Sequence, residues 1–137
     1  MSQENVETVR GIIDAHERGD ADAVFSKYYP EIEWHLSTVF ASASEFDPVY
    51  YGHDGVRTFW RTWFSAWEKA SFEYEEFIDA GDSVVTILSQ HVRGRTSGIE
   101  LDWKSYGQIW TVRNGTIVRV EFVHNREEAL EAAGLSE

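Results

Sequence analysis

The sequence predicts a single α+β domain in which an antiparallel sheet carries helices on one face. Three observations support this prediction: helix-spaced apolar residues open the chain, a second such pattern lies in its middle, and alternating segments with turn signals fill its second half. The 137 residues suit one domain spanning 1–137, and a hydrophobic content of 42% is enough for a buried core.

The first two helices are predicted from apolar spacing and from residues that favour helix ends. Residues 4–18 place five side chains on or beside one helical face: Val6, Val9, Ile12, Ile13 and His16. Gly19 provides a stop, and Asp20 caps a second, short helix. That helix carries Val24, Phe25 and Tyr28, and it ends at Pro30.

The middle of the chain is predicted to contain a strand, then a loop, and then the most clearly predicted helix. Ile32, Trp34 and Leu36 alternate with polar residues, which predicts a half-buried strand. Residues 37–53 are expected to form a loop. After Asp54 as the predicted N-cap, six residues follow helical spacing: Val56, Phe59, Trp60, Trp63, Phe64 and Trp67.

The second half is predicted to be mostly strand. The expected strands are residues 72–79, 83–95, 99–112 and 117–124, followed by a short helix over 126–133 that Gly134 ends. Asn114 and Gly115 are a strong hairpin signal between the last two strands.

Two registers are possible for this last hairpin. We favour a bulged turn, because it brings similar residue types together in five pairs: Val112–Thr116, Trp110–Val118, Gln108–Val120, Tyr106–Phe122 and Lys104–His124. A two-residue turn would shift the pairing by one and reverse the faces of one strand. The favoured pairing places Val118, Val120 and Phe122 on the concave face.

Composition and charge exclude several classes of function. A net charge of −12 with no basic cluster argues against nucleic-acid binding. The chain has no cysteine, which excludes disulfides, thiolate catalysis and cysteine-based zinc sites. Its start lacks a signal-peptide pattern and no apolar stretch is long enough to span a membrane. We therefore expect a cytoplasmic protein.

Four segments resemble the SnoaL-like family of the nuclear transport factor 2-like superfamily. They are RGDADA at 18–23, EIEW at 31–34, YGHDGVR at 51–57 and IWTVRNGTI at 109–117, in the family's order along nearly the whole chain. The resemblance implies a curved antiparallel, partly mixed sheet. This sheet wraps against about three N-terminal and middle helices and forms a cone with an internal pocket.

The resemblance implies a ligand class but leaves the function open. The superfamily includes ketosteroid isomerases, polyketide cyclases, limonene epoxide hydrolases and scytalone dehydratases, as well as non-enzymatic binding proteins. One hypothesis is cofactor-free isomerisation, cyclisation or dehydration of a small, mostly apolar oxygenated compound, such as a polyketide-like or steroid-like ring. The alternative is a non-catalytic ligand-binding or protein-interaction module.

The catalytic residues of the ketosteroid isomerases have no counterparts in this chain. Their positions correspond to Ile12, Leu36 and Gln108, none of which exchanges protons at neutral pH. His124, at the end of the last strand, is the nearest group with a suitable pKa and is our catalytic candidate. The competing interpretation is a histidine bonded to a neighbouring carbonyl. His16 lies on the apolar side of the first helix and either reaches the pocket or is a satisfied core group.

Eight residues are predicted to line the pocket. They are Trp34, Phe59, Trp63, Gln90, Tyr106, Gln108, Trp110 and Phe122. The aromatic residues among them also fit a plain core. The two glutamines would orient a ligand, or would instead satisfy each other or a buried water.

We expect no metal or cofactor, and we expect the protein to form a homodimer. Glu31, Glu33 and His35 share one strand face, but their apolar neighbours claim the buried face, so these three should face solvent. Four apolar residues are predicted on the outer sheet face: Trp103, Ile109, Ile117 and Val123. An apolar outer face predicts a partner, and in this family the partner is usually a second copy.

Overall fold

The computed structural model describes residues 2–36 and 46–135. In chain order its elements are α1 (Ser2–Glu17), α2 (Ala21–Ser26), β1 (Tyr28–His35), β2 (Val49–Tyr51), α3 (Gly52–Ala66), β3 (Trp67–Asp79), β4 (Ser83–Gly94), β5 (Glu100–Arg113), β6 (Thr116–Val123) and α4 (Arg126–Ala132). The helices and the sheet enclose one main core, and a smaller cluster lies beneath α4.

The six strands form one curved, mixed sheet in the order β2-β1-β6-β5-β4-β3. β1 and β6 run parallel, and every other neighbouring pair is antiparallel. The main core contains the apolar faces of α1 and α3 packed on the concave side of the sheet. The predicted α+β class and its helix-covered curved sheet are confirmed.

The first strand and the predicted loop differ from expectation. β1 begins at Tyr28, so Tyr28 and Pro30 belong to this strand and not to the preceding helix. Asp20 caps α2 as predicted, its carboxylate accepting from the Ala23 backbone N–H at 3.1 Å. Within the predicted loop, residues 37–45 lie outside the described residues, Val49–Tyr51 forms a strand that pairs with β1, and α3 already starts at Gly52.

Helix α3 begins earlier and ends earlier than predicted. Its N-cap is Tyr51, which makes no side-chain capping bond, and Asp54 lies inside the first turn, 3.5 Å from Arg57. Trp67 has extended backbone angles and starts β3.

The end of α3 is held by Arg95. The Arg95 backbone N–H donates to the Ala66 carbonyl, and its guanidinium donates to the carbonyls of Phe64, Ser65 and Trp67 at 2.9–3.3 Å. A cation at this position satisfies carbonyls that have no partner within the helix and complements the helix dipole. The contact ties α3 to the far end of β4.

Two β-bulges lie side by side in the sheet. The β3–β4 ladder skips Glu75, and the β4–β5 ladder is interrupted where Ser89 lies opposite Lys104 and Ser105. The Glu75 carboxylate accepts from the Ser89 hydroxyl at 2.5 Å and from the Ser105 hydroxyl at 2.9 Å. Ser105 has a φ of 50°, and its N–H donates to the Ser89 oxygen. Bulges bend strands and increase twist, so this cluster marks a bend shared by three strands.

The favoured register of the last hairpin was wrong. Asn114 and Gly115 have φ values of 54° and 75°, which form a two-residue turn with Arg113 opposite Thr116. A bulge at Val118 then shifts the register, so that Trp110 pairs with Val120 and Gln108 with Phe122.

The bulge explains which inward-facing residues were predicted correctly. It restores the alternation beyond Val118, so Val120 and Phe122 face the core as expected. Between the turn and the bulge the faces are reversed: Ile117 is buried in the main core and not on the outer face. Val118 lines a hollow on the outer surface and not the concave face. The ladder ends at Gly107–Val123, so Lys104 has no strand partner at His124.

The apolar residues predicted on the outer face are covered by the chain itself. Ile109 and Val123 pack with Ala129 of α4, and Trp103 faces inward with its ring 5.4 Å from that of Trp63. Arg126 anchors α4 through two bonds to the Glu76 carboxylate at 2.9 and 3.0 Å. The observation from which the homodimer was inferred therefore does not hold, and the homodimer stays a prediction.

Within residues 2–36 and 46–135, no helix combines the length and apolar character needed to cross a membrane.

Gly107 is a point of close contact between the sheet and α4, and it yields a stability prediction. A Cβ at residue 107 would lie 2.9 Å from the Ala129 Cβ and 3.0 Å from a Val123 methyl group. We expect Gly107→Ala to lower the free energy of unfolding by about 1–3 kcal/mol, because the helix must shift to relieve the overlap. Urea denaturation measures this change.

The control is Gly11→Ala, the same change in the middle of α1. A Cβ at residue 11 meets no atom within 4 Å, so this variant should gain about 0.5–1 kcal/mol. Equal stability changes in the two variants would contradict the role assigned to the α4 contact.

Candidate functional site

A narrow cavity lies between α1, α3 and the concave face of the sheet. Its volume is about 40 Å³, which exceeds the roughly 10–15 Å³ that one water needs and is far below a typical ligand pocket of about 300 Å³ or more. All eight residues predicted to line the pocket line this cavity, together with Ile12, Ile13, His16, Glu17, Tyr28, Trp60, Phe72 and Tyr74. The structure thus brings the predicted residues together, while their ligand-binding role stays a prediction.

The cavity walls are mostly aromatic rings in mutual contact. Trp34 lies 5.8 Å from Phe59 and 5.5 Å from Phe122, measured between ring centroids. Phe59 and Trp63, one helical turn apart on α3, stack with an angle of 18° between their planes. These rings explain the small volume, because they occupy much of the space inside the cone.

A chain of hydrogen bonds fixes the orientation of Gln108. The Trp110 indole N–H donates to the Thr86 hydroxyl at 3.0 Å, and this hydroxyl donates to the Gln108 side-chain oxygen at 2.8 Å. An indole nitrogen only donates, so the direction of the chain follows from Trp110. Gln108 therefore turns its NH₂ group away from Thr86, and its side chain also hydrogen-bonds Tyr74. The partner of Gln108 is Thr86, which the sequence patterns did not assign to the site.

Two buried donors that line the cavity have no partner within the described residues. They are the indole nitrogen of Trp34 and the side-chain nitrogen of Gln90, in residues that are 1% and 3% exposed. Buried donors are satisfied in most proteins, and an unsatisfied one costs about 1–3 kcal/mol. An acceptor inside the cavity would satisfy them.

Three tyrosines surround the cavity as neutral phenols. Burial raises the pKa of Tyr28, Tyr74 and Tyr106 above the ordinary value, so all three stay protonated. For Tyr74, the bond to Gln108 lowers the pKa and nearby Glu17 raises it, both less strongly than burial. Tyr28 and Tyr74 were not predicted in the site. The alternation of Phe72 and Tyr74 along β3 was the available signal for Tyr74.

His16 and Glu17 lie at the rim of the cavity, near the end of α1. Burial lowers the pKa of His16, and the neighbouring Glu17 raises it to a smaller extent. The imidazole is therefore neutral at pH 7, with its ring 5.0 Å from that of Trp60. Of the two interpretations of His16, the structure supports a side chain that reaches the cavity.

His124 does not line the cavity. β6 ends at Val123, and the chain turns into α4, so the alternation that would have pointed His124 inward stops one residue too soon. The side chain is 44% exposed, with Nδ1 3.2 Å from the Glu128 carboxylate, and its backbone N–H donates to the same carboxylate. The structure therefore gives no geometric basis for proton transfer by His124 in the cavity.

Among the described residues, the histidines and carboxylates other than His16 and Glu17 do not line the cavity. His35 bonds Glu33 at 2.9 Å, and Glu31 is exposed. Searched over residues 2–36 and 46–135, the chain shows no group of three or more histidine, aspartate or glutamate side chains arranged to hold a metal ion.

Comparison with known proteins identifies a matching family model and similar solved structures. A family model described as a SnoaL-like domain matches residues 9–120. Two nuclear transport factor 2-like proteins of solved structure are similar, each with a TM-score of 0.76. One is from Burkholderia thailandensis, with 25% identity over 96% of this chain and 95% of that chain. The other, of unknown function, is from Burkholderia pseudomallei, with 23% identity over 93% and 95%.

A third similar structure is TerC, co-crystallised with polyporic acid. It has a TM-score of 0.76 and 21% identity over 96% of this chain and 98% of that chain. No curated protein matches the sequence.

The opposite environments of His16 and His91 give a pH prediction. His91 is exposed and bonds Asp102 and Glu100, each at 2.7 Å, which raises its pKa. We expect His16 to titrate below the ordinary value of 6.5 and His91 above it, as measured by NMR. Protonation of His16 is less favourable in the folded protein than in the unfolded chain. The contribution of His16 to stability is therefore fully present above pH 6.5 and is lost as the pH falls below that value.

Asp102→Asn serves as the control for this titration. It should lower the pKa of His91, since the bond to Asp102 is the largest cause of the shift, and leave His16 unchanged. A His16 that titrates at or above 6.5 would show that the imidazole is not buried as described.

Proposed function

The chain belongs to the SnoaL-like domain family, and from this premise we propose that it binds a small, mostly apolar, oxygenated molecule in the aromatic cavity. The observation that carries the proposal is the pair of buried donors on Trp34 and Gln90, two residues that line a mostly aromatic cavity. An acceptor oxygen on a ligand would satisfy one or both donors, and the rings would pack on its apolar part.

The charges around the cavity favour a neutral ligand. Among the residues that the structure describes, no lysine or arginine lines it, the three tyrosines are protonated, and His16 is neutral at pH 7. A buried carboxylate or phosphate would lose its hydration without meeting a cation, which costs several kcal/mol. A ketone, ether or similar acceptor avoids this cost.

A second candidate function is proton transfer, and the position of His16 favours it. A neutral imidazole at the cavity rim can take a proton from a carbon next to a ligand carbonyl. The negative charge then moves to the carbonyl oxygen, which the Gln90 amide would stabilise, and the proton returns from His16 to the same carbon or to a conjugated one. Isomerase, cyclase and dehydratase reactions begin with such a step. Ile12, Leu36 and Gln108 cannot supply this base.

The binding proposal predicts a preference for a carbonyl oxygen. Acetophenone and α-methylstyrene have nearly the same shape, but only the first carries an acceptor oxygen. We expect the protein to bind acetophenone about threefold to tenfold more tightly, because one hydrogen bond contributes about 0.5–1.5 kcal/mol. Gln90→Leu should remove this preference, as measured by isothermal titration calorimetry.

Gln3→Leu is the matched control, because it makes the same chemical change at an exposed position on α1. It should keep the preference of the unmodified protein. Failure of both compounds to bind, or equal affinity of the unmodified protein for both, would contradict the proposal, whereas a preference that survives Gln90→Leu would assign the hydrogen bond to Trp34.

The proton-transfer candidate predicts isotope exchange. In D₂O the protein should accelerate incorporation of deuterium into the methyl group of acetophenone, and His16→Gln should abolish the acceleration while binding persists. NMR follows the exchange, and His124→Gln is the control, expected to act like the unmodified protein. Exchange no faster than in buffer would reject this candidate for ketones.

A further inference from the structure

A groove on the outside of the protein lies directly beside the cavity. This outer groove runs between α2 and α3, has a volume of about 370 Å³, and is lined mainly by Val24, Phe25, Arg57, Trp60, Phe64 and His16. Its volume is much larger than the 40 Å³ of the cavity. The cavity alone has little space, so a ligand that carries an extended tail or a second ring needs further room.

The cavity and the outer groove share two residues. His16 and Trp60 line both spaces, and their rings lie 5.0 Å apart. The thickness of these two side chains therefore separates the two spaces. A ligand that passes beside His16 and Trp60 would have one end in the cavity and the other in the groove.

The surface of the outer groove is apolar and flat where it adjoins the cavity. Trp60 and Phe64 stack with centroids 5.3 Å apart and an angle of 19° between their planes, and Phe64 is 38% exposed. Exposed aromatic surface of this kind is typical of binding sites. The charge of Arg57 is partly satisfied by its neighbours, since its guanidinium lies over the Phe25 ring at 4.3 Å and reaches Asp54 at 3.5 Å.

We propose that the outer groove is the second half of the ligand site and holds the apolar tail of a neutral molecule whose oxygen lies in the cavity. This inference rests on the proposed function and deepens it: the ligand is a ketone-like compound with an extended apolar tail or a second ring. The tail passes beside His16 and Trp60 and covers the exposed face of the Trp60–Phe64 stack.

The test compares two ketones that differ only in their tails. Acetophenone ends near the rim, whereas 4′-butylacetophenone carries a four-carbon chain that would reach the groove. Ala21 lines the groove at the exposed start of α2, so Ala21→Trp fills the groove without touching the cavity. We expect this variant to bind the butyl compound about tenfold more weakly and acetophenone unchanged, because the buried methylenes lose their contact.

Two further variants make the result decisive. Asp22→Trp puts the same ring on the neighbouring exposed residue, which does not line the groove, and should leave both affinities unchanged. Phe64→Ala removes the exposed wall and should weaken the butyl compound alone. If acetophenone binds but Ala21→Trp and Phe64→Ala do not selectively weaken binding of the butyl compound, the groove proposal is overturned and the cavity proposal stands. Binding of neither ketone to the unmodified protein would overturn both.

Discussion

The bend in the sheet at Glu75, Ser89 and Ser105 is the constraint on which the site depends. The cavity lies between the curved sheet and the helices α1 and α3, and bulges are what bend the strands. The two bulges bend three adjacent strands at one level, and the Glu75 carboxylate holds two of them through the serine hydroxyls. Ser105 keeps a left-handed conformation that is unfavourable for a serine, which its bonds to Ser89 and Glu75 offset.

The polar groups of the cavity follow from this bend and from the position of α3. Gln90 and Tyr106 lie immediately beyond the bulged residues of β4 and β5, where the altered twist turns their side chains toward the helices. On the opposite wall, Arg95 holds the last carbonyls of α3 and so fixes Phe59 and Trp63 relative to the sheet. The few hydrogen-bonding groups therefore sit on rigid elements, as a selective site requires.

The sequence predicted most of the cavity wall because side-chain alternation along a strand is a local property. Trp110, Gln108 and Phe122 were assigned to the inner face correctly even though their pairing was wrong, since the bulge at Val118 restored the alternation. His124 was misplaced because alternation does not show where a strand ends, and β6 stops one residue earlier than predicted, before Asn125 caps α4. Alternation could have placed Tyr74 on the inner face, but the hydrogen bonds of Thr86 and Tyr74 with Gln108 are contacts between strands, which periodicity does not reveal.

The absence of a side chain at Gly107 has a consequence for how the protein meets other molecules. Helix α4 has seven residues, too few to be stable alone, so it keeps its form only while seated on the sheet. The cluster beneath it contains Val85, Ile87, Ile109 and Val123. These side chains would form an exposed apolar surface if α4 were displaced. A single methyl group added at this position would thus displace α4, expose this apolar surface and favour association with other chains. The hydrogen atom of Gly107 is in this sense a determinant of colloidal solubility as much as of fold.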